Sequence, residues 1–378
     1  MNIPFNKPCL TGKESEYILE AVRNGQISGN GVFTKKCHQW FRDKYAFKKC
    51  LLTTSCTDAL EMAALLIDLK PGDEVIVPSF TFVSSALAFI RESAVIKFVD
   101  SREDYPGLNE DQLEQLITDK TKAIIVVHYA GIACDMDSIM ELAARYNLFV
   151  IEDAAQAIDS YYNGRALGSI GHFGCFSFHE TKNIQCGEGG MLVINDERFF
   201  ERGEIVWEKG TNRTKFFRGE IDKYGWVDTG SSFLPSDLLA AFLLAQAESI
   251  EQVQQQRKQL WEQYYQNLKP IADKGFIHLP SIPSYATNNA HMFYILCKNL
   301  QQRTGLINHL KQESVLAVFH YQSLHQSGFM KNRIATQQLP FSDLYSDTLL
   351  RLPFYFELSL NEIDMICGHI KVFFQTDL

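Results

Sequence analysis

Short apolar runs alternate with amphipathic segments through the first part of the chain. The spacing of the apolar positions predicts helices over 57–69, 81–92, 109–117 and 136–146, and strands over 74–78, 95–99, 122–127 and 148–152. Strands that alternate with helices of this length form βαβ units, in which helices cover both faces of a parallel sheet. The pattern therefore predicts an α/β fold with a mainly parallel sheet.

The pattern changes after about residue 235. Residues 237–268 are rich in Ala, Leu, Gln and Glu, which predicts one long helix or two in series. Shorter elements are predicted beyond it, with strands over 292–297 and 316–320 and helices over 303–313 and 359–373. A chain of 378 residues is too long for one ordinary core. We therefore expect a large domain over 1–245, which includes the N-terminal segment, and a smaller α+β domain over 246–378.

Composition and charge narrow the possible functions. The net charge of -9 and the pI of about 5.6 argue against a nucleic-acid-binding protein. Nine cysteines form no C-x-x-C pair, which favours buried thiols in a reducing compartment. The N-terminus has no apolar signal core, and no apolar run approaches the roughly 20 residues that cross a bilayer. We therefore expect a cytoplasmic protein without a membrane partner.

Two weak motifs are set aside. His320 and His325 lie five positions apart, with no cysteine cluster or carboxylate at ligand spacing, so no metal site is expected. Gly29 and Gly31 lack the rest of a dinucleotide-binding fingerprint and do not follow a predicted strand. The candidate chemistry lies elsewhere in the chain.

Polar residues follow several of the predicted strands. Ser79, His128 and Asp153 come just after apolar runs, and ligands of parallel sheets bind beyond the carboxyl ends of the strands. These three residues are therefore candidates for one site. A carboxylate beyond an apolar strand is costly unless it is paired, so Asp153 is either the partner of a cationic ligand group or the N-cap of a following helix.

Lys182 follows the strand-like run 176–178 and precedes the glycine-rich segment 187–190. Glycines allow the backbone to turn tightly and to approach a ligand. A lysine and an acid that each lie at the mouth of a parallel strand indicate pyridoxal phosphate (PLP) chemistry. Lys182 would hold the cofactor as a Schiff base, and Asp153 would keep its pyridine nitrogen protonated. The alternative is a solvated lysine.

Three residues at the start of the helix 57–69 are candidates for binding the cofactor phosphate. Ser55, Cys56 and Thr57 offer hydroxyl groups and backbone amides at a helix N-terminus, where anions bind. An ordinary N-cap explains the same residues. Ser177, which is close to Lys182 in sequence, is a further hydroxyl candidate.

Two more residues are candidates for contacts with the cofactor ring. Phe80 lies closer than Phe82 to the end of a predicted strand, so we prefer it as the aromatic side chain that stacks on the pyridine ring. A role in the hydrophobic core is the alternative. Gln156 lies three positions after Asp153 and could donate a hydrogen bond to the phenolate oxygen of the cofactor.

Together these segments resemble the DegT-type sugar aminotransferases, which are PLP enzymes of the aspartate-aminotransferase fold (fold type I). The resemblance extends in order over nearly the whole chain, through 3–5, 28–29, 54–57, 78–82, 128–131, 152–156, 177–182, 187–190, 320–321 and 324–325. It implies that Lys182 moves a proton as general base and acid and that Asp153 serves the pyridine nitrogen. It also implies ping-pong kinetics and a homodimer whose active sites are built from both chains.

The resemblance further implies the residues that bind the sugar nucleotide. They are Ser28, Gly29, Lys209, Arg213, His320, Tyr321 and His325. Many members of the family carry an asparagine that reaches the cofactor phosphate of the neighbouring subunit. This chain has Ser232 at that position, and its side chain is shorter.

Within the family, residues 209–213, 217–219 and 228–232 most resemble the enzymes that make dTDP-4-amino-4,6-dideoxygalactose for enterobacterial common antigen. The implied reaction moves an amino group from L-glutamate, which leaves as 2-oxoglutarate, to C4 of dTDP-4-keto-6-deoxyglucose. The C4 epimer and a C3-amino sugar are alternative products. Lys182 disfavours a dehydratase of the same fold, which carries histidine at this position, and also a non-catalytic sensor of sugar nucleotides.

Overall fold

The computed structural model describes residues 2–375. Its strands are β1 (Lys49–Thr53), β2 (Glu74–Pro78), β3 (Val95–Val99), β4 (Thr121–Val127), β5 (Phe149–Asp153), β6 (Tyr161–Tyr162), β7 (Arg165–Ala166), β8 (Phe173–Ser177), β9 (Gly190–Ile194), β10 (Tyr294–Leu296), β11 (Val318–Phe319) and β12 (Leu349–Arg351). Its α-helices are α1 (Glu14–Arg23), α2 (Val32–Tyr45), α3 (Cys56–Leu66), α4 (Ser84–Arg91), α5 (Met136–Tyr146), α6 (Phe200–Trp207), α7 (Arg213–Phe217), α8 (Asp237–Glu248), α9 (Ile250–Ala272), α10 (Leu300–Gln312), α11 (Pro340–Thr348) and α12 (Leu360–Gln375).

A seven-stranded sheet with the order β1-β9-β8-β5-β4-β2-β3 forms the centre of the larger part of the molecule. Its strands run parallel except β9, which is antiparallel to both β1 and β8. Adjacent residues of β4 face opposite cores. Ile124 belongs to the core that includes Ile139 of α5, and Ile125 belongs to the opposite core, which includes Leu60 and Phe89. The predicted α/β fold with a mainly parallel sheet is confirmed.

Most of the predicted elements have nearly the observed bounds, but the helix predicted over 109–117 is wrong. Two short 3-10 helices occupy this region, Glu110–Gln112 and Glu114–Leu116. Only Leu113 between them is fully buried, so the segment lacks the continuous apolar face that holds an α-helix against a core. The side chain of Asn109 also accepts a hydrogen bond from the backbone of Asp111, which favours a local turn.

A three-stranded antiparallel sheet with the order β10-β12-β11 lies in the C-terminal part of the chain, where residues of α9, α10 and α12 share its core. The start of the described chain packs here through Ile3. Ile3 donates its N–H to Ser314 (2.9 Å) and accepts a hydrogen bond from Leu316 (3.0 Å). Ile3 therefore belongs to the C-terminal core, although the predicted division placed it with the large domain.

The predicted long helix is two helices in series. The chain turns at Ser249, between the end of α8 and the start of α9. The predicted boundary at residue 245 falls within the last turn of α8, and the division into two domains stays a prediction. Within residues 2–375, every helix is too short or too polar to span a lipid bilayer.

Candidate active site

A cavity of about 600 Å³ lies where β4, β5 and β8 end and α3 begins. Cavities of this size accommodate small-molecule ligands. We call it the lysine cavity, since Lys182 is one of its lining residues. Of the residues predicted to bind cofactor or substrate, the following line it: Ser55, Cys56, Thr57, Asp153, Gln156, Ser177, Lys182, His320 and Tyr321.

Asp153 is the last residue of β5, and its carboxylate has two donors. Oδ2 accepts a hydrogen bond from Ser85 Oγ (2.6 Å), and Oδ1 accepts one from the N–H of Ala155 (3.2 Å). Ser85 Oγ lies 2.9 Å from Thr81 Oγ1. Burial raises the pKa of Asp153, and the two hydrogen bonds oppose that shift. No helix follows in residues 154–160, so Asp153 is not an N-cap. A cationic N–H in the cavity would stabilise its charged form.

The neighbouring Glu152 points to the other side of the strand, and both of its carboxylate oxygens are already used as hydrogen-bond acceptors. It accepts hydrogen bonds from the N–H groups of Gly168, Ile170 and Gly171, at 2.6–2.7 Å. Its Oε2 also lies 3.0 Å from Nε2 of His128. His128 borders the lysine cavity but is held by this buried contact. Glu152 and His128 therefore support the fold of the strand ends.

Lys182 lies in the loop after β8, where its N–H donates to the carbonyl of His179 (2.9 Å). Burial lowers the pKa of Lys182, and the positive charge of Arg351 adds to this shift, whereas Cys56 and Asp153 oppose it. A lysine with a lowered pKa loses its proton more readily. That property suits an amine that must attack a carbonyl carbon.

The N-terminus of α3 faces the lysine cavity through three of the predicted phosphate contacts. Ser55 is the N-cap, and its Oγ accepts a hydrogen bond from the N–H of Asp58 (3.1 Å). Thr57 Oγ1 lies 2.8 Å from Ser84 Oγ, which also lines the cavity. The N-cap is therefore compatible with the predicted anion site, because capping uses only one of the amides at the helix start.

The strand β9 passes close beneath this helix start because residue 190 is a glycine. A Cβ on Gly190 would lie 2.3 Å from the backbone carbon of Ser55. In contrast to the prediction of a close approach to a ligand, this glycine brings two backbone segments together. The tight contact fixes the position of the α3 N-terminus relative to β8 and β9.

Gln156 and two aromatic residues form another wall of the lysine cavity. Gln156 Oε1 accepts a hydrogen bond from the N–H of Ala130 (2.6 Å), and its Nε2 donates to the hydroxyl of Tyr321 (3.0 Å). His320 Nδ1 lies 2.6 Å from the hydroxyl of Tyr129. His320 and Tyr321 are therefore oriented by contacts that come from the large sheet.

The preference for Phe80 over Phe82 is wrong. Phe80 is only 1% exposed and packs against Tyr129, Tyr321 and Tyr345, outside the lining of the cavity. Phe82 is 54% exposed and lines the cavity. Phe80, the second residue after β2, turns into the core, whereas Phe82 faces the cavity.

His325 and Ser79 do not line the lysine cavity either. Nδ1 of His325 lies 2.7 Å from Ser79 Oγ, and both side chains are buried. Burial lowers the pKa of His325, and the carboxylates of Asp343 and Asp100 oppose that shift. The prediction that His325 contacts the sugar nucleotide is therefore corrected, because this pair ties the end of β2 to the segment that precedes α11.

The remaining predicted residues line a second cavity of about 440 Å³, which shares no lining residue with the lysine cavity. They are Ser28, Gly29, Lys209, Arg213 and Ser232. In this chain Arg213 forms an ion pair with the buried Glu208 (3.3 Å). The residues predicted to bind the substrate and the cofactor phosphate are therefore divided between two separate cavities of one chain.

Two residues of the site were missed in the sequence. Ser85 holds Asp153 from α4, and nothing in its local sequence indicates that contact. Arg351 ends the apolar strand β12 and lines the lysine cavity. An arginine at the end of an apolar strand is a detectable signal, because burying a guanidinium without a partner is costly.

The fold and the lysine cavity together define a PLP-dependent enzyme of fold type I. The groups that line the cavity match the chemical groups of the cofactor. Lys182, with its lowered pKa, can supply the amine that binds the cofactor, and the buried carboxylate of Asp153 can accept a hydrogen bond from a pyridinium N–H. The α3 N-terminus supplies amides and hydroxyls for a phosphate.

Comparison with known proteins agrees. The model of the DegT/DnrJ/EryC1/StrS aminotransferase family matches residues 8–371, so the chain belongs to this family of PLP-dependent sugar aminotransferases. A GDP-perosamine synthase from Escherichia coli O157:H7 is 31% identical over 376 residues, with 98% of each chain covered. The putative sugar aminotransferase Spr1654 from Streptococcus pneumoniae, in its PMP form, has a TM-score of 0.91 at 27% identity and full coverage of both chains. S. venezuelae DesV has a TM-score of 0.89 at 27% identity, with 98% of each chain covered.

Proposed function

We propose that this enzyme moves an amino group from L-glutamate to C4 of dTDP-4-keto-6-deoxyglucose, giving dTDP-4-amino-4,6-dideoxygalactose for a cell-surface polysaccharide such as enterobacterial common antigen. The observation that carries the proposal is the meeting of Lys182 and Asp153 in one cavity of ligand size. The resemblance of residues 209–213 and 228–232 to enzymes with this product supports the choice of sugar.

The chain's own residues divide the work in this proposal. PLP, when bound, supplies a ring that withdraws electrons from the carbon next to the amino nitrogen. Lys182 Nζ moves the proton at that carbon, for which its lowered pKa is suited. Asp153 holds the pyridine N–H, and Ser85 holds Asp153. The amides and hydroxyls of Ser55 and Thr57 bind the phosphate.

We propose a homodimer in which each active site uses both chains. Ser232, Lys209 and Arg213 lie in the second cavity and not beside Lys182, so they serve a site only if they reach the partner's lysine cavity. An apolar surface borders this region and supports the idea. Trp226 is 84% exposed and Phe217 66% exposed, which is unusual for large apolar side chains on a free surface.

A GDP-linked 4-keto-6-deoxy sugar is the second candidate acceptor. The 31% identity to a GDP-perosamine synthase over nearly the whole chain favours it. The chemistry at the lysine cavity is the same for both acceptors. The choice of nucleotide therefore depends on residues that contact the base and the diphosphate, which we assign to the second cavity of the partner.

We also infer a cytoplasmic location. All nine cysteines are free thiols, and eight of them are buried. Thiols that remain unpaired suit a reducing compartment, where nucleotide-linked sugars would reach the enzyme. Mass spectrometry of the protein from native cells after thiol alkylation should find nine alkylated cysteines.

The acceptor is tested with purified enzyme, L-glutamate and either dTDP-4-keto-6-deoxyglucose or a GDP-linked 4-keto-6-deoxy sugar. We expect a dTDP-linked amine at C4 with galacto configuration, and kcat/KM at least about tenfold higher for the dTDP sugar. Mass spectrometry gives the mass of the product, and NMR gives the position and configuration of the amine. Lys182→Ala is the inactive control. Preference for the GDP sugar would support the second candidate. Rapid transamination among ordinary amino acids, with no turnover of any nucleotide-linked keto-sugar, would overturn both.

A further inference from the structure

The guanidinium of Arg351 lies in the lysine cavity without an acidic partner among residues 2–375. Its Nε is buried and forms no hydrogen bond. Its Nη2 donates only to the carbonyl of Phe319, at 3.4 Å, and its Cζ lies 4.7 Å above the ring of Phe5. Most of its five N–H donors therefore remain free, although burial of an unpaired cation is unfavourable.

The surroundings of Arg351 are basic. Burial and then the positive charges of Arg351 and Lys182 hold the pKa of His320 well below its usual range. Burial also lowers the pKa of Arg351, while Tyr129 and Tyr321 oppose that shift. Among the described residues, Asp153 and Glu188 are the acids that line the cavity: the place of Asp153 is at the pyridine nitrogen, and Glu188 is exposed and lies 3.7 Å from Nε2 of His179. Neither acid forms an ion pair with Arg351, so the positive charge of this guanidinium remains unpaired on its side of the cavity.

Three anions enter this kind of site, and two of them belong elsewhere. The cofactor phosphate has its donors at the N-terminus of α3. A sugar diphosphate is separated from the reacting carbonyl carbon by the sugar ring, so it does not lie beside Lys182. The carboxylate of an amino-acid donor, in contrast, is bonded to the carbon whose proton Lys182 must move. A planar guanidinium binds such a group through two parallel hydrogen bonds.

We propose that Arg351 binds a carboxylate group of the amino donor. This inference rests on the proposed use of an amino-acid donor, and it assigns the donor's position in the lysine cavity. Arg351, from the C-terminal part of the chain, positions the donor so that its reacting carbon lies near Lys182. Asp153, from the large sheet, binds the pyridine nitrogen of the cofactor. When the donor's product has left, Arg351 has no role in binding the keto-sugar.

The two half-reactions separate these roles. Holoenzyme in its PLP form is mixed with L-glutamate, and the PMP form is mixed with the keto-sugar nucleotide; cofactor absorbance follows both. We expect Arg351→Gln to raise the half-saturating glutamate concentration about 10- to 100-fold, the effect of losing a hydrogen-bonded charge pair. Arg351→Lys should recover part of this loss. Amine transfer to the keto-sugar should change less than about twofold.

A binding measurement without turnover accompanies the kinetics. Calorimetric titration of the PLP form with glutarate, which has carboxylates but no amine, should show a similar loss of affinity in Arg351→Gln. Arg333→Gln is the matched control, because Arg333 also lies over an aromatic ring, that of Phe329, and donates to its carbonyl, but does not line the cavity.

Two results would overturn the proposal for Arg351. One is unchanged affinity for both glutamate and glutarate in Arg351→Gln. The other is an equal loss in the two half-reactions, which would mean that Arg351 only supports the shape of the cavity. If the wild-type enzyme itself fails to react with glutamate, the proposed donor is wrong, and the glutarate titration still decides whether Arg351 binds a carboxylate.

Discussion

At the scale of single residues, the amine of Lys182 should be the point of attachment of the cofactor. Its pKa is lowered by burial, and it lines the cavity with Asp153. We expect borohydride reduction of the yellow holoenzyme to place the pyridoxyl group on Lys182, which peptide mapping by mass spectrometry reads directly. Lys209, in the second cavity, should remain unlabelled. A pyridoxyl group on any other lysine, with Lys182 unmodified, would refute the assignment.

Ser85 should control the charge of Asp153. Its hydrogen bond favours the carboxylate, so Ser85→Ala should raise the pKa of Asp153 beyond the rise that burial causes. The acidic limb of the kcat/KM profile should then move to higher pH, with turnover at neutral pH reduced about tenfold. Asp153→Ala should reduce turnover about 10²- to 10³-fold. Ser160→Ala is the control, because the hydroxyl of Ser160 is also buried but has no hydrogen-bond partner among the described residues. An identical pH profile in Ser85→Ala would show that Ser85 only fills space.

The sequence predicted the site residues that lie at the ends of elements and missed those that depend on packing. Lys182 and Asp153 follow apolar strands, and the carboxyl ends of parallel strands must meet. Which of Phe80 and Phe82 faces the ligand depends on how the chain turns after β2. Their positions in the sequence, two residues apart, do not predict that turn. Arg351 is distant in sequence from every other site residue, so only the tertiary fold brings it to Lys182.

At the scale of elements, α2 begins with a cap that comes from a distant part of the chain. Its N-cap residue is Gly31, which has no side chain, and Asp237 of α8 supplies the acceptors instead. Asp237 accepts hydrogen bonds from the N–H of Phe33 (3.1 Å) and from the N–H and hydroxyl of Thr34 (both 2.8 Å). The partners are 203 to 204 positions apart, so no local motif could have predicted this cap.

Loss of that cap should destabilise the protein measurably. Asp237→Ala leaves two helix amides without acceptors in a buried place, so we expect the free energy of unfolding to fall by about 2 kcal/mol. Urea denaturation of the holoenzyme, followed by tryptophan fluorescence, measures the change. Asp273→Asn is the matched surface variant, because Asp273 is exposed and pairs only with Lys269. It should shift stability by less than about 0.5 kcal/mol. Equal effects of both variants would contradict the role of the cap.

Strands and helices with a continuous apolar pattern were predicted with correct bounds, as β2, β3 and α5 show. Neither the strand β9 nor its reversed direction was predicted. Its residues are as apolar as those of a parallel strand, and periodicity does not encode direction. The direction follows from the short connection after β8, which includes Lys182, and from the close contact of Gly190 with the start of α3.

At the scale of the whole molecule, shared active sites predict complementation between inactive chains. Lys182→Ala damages the lysine cavity, and Arg213→Ala damages the second cavity. When equal amounts are mixed and allowed to exchange subunits, half of the dimers are hybrids with one undamaged site. About a quarter of the wild-type activity should therefore return.

The control for this experiment pairs Lys182→Ala with Asp153→Ala. Both changes lie in the same cavity of one chain, so every site of the hybrid keeps a defect and the mixture should stay inactive. Hybrid formation is verified by native mass spectrometry. Verified hybrids of Lys182→Ala and Arg213→Ala without activity would rule out the shared site for Arg213.

Of the two adjacent acidic residues at the end of β5, one supports the fold and the other is available for catalysis. Glu152 is saturated by three backbone donors and His128, whereas Asp153 keeps acceptor capacity for the cavity. In a library of random variants sorted first for soluble expression and then for loss of turnover, position 153 should be rich in recovered substitutions and position 152 nearly empty. The two adjacent codons would thus be under different selection. Substitutions at position 152 would be lost because the misfolded protein is degraded, and substitutions at position 153 would be lost because the cell lacks the amino sugar.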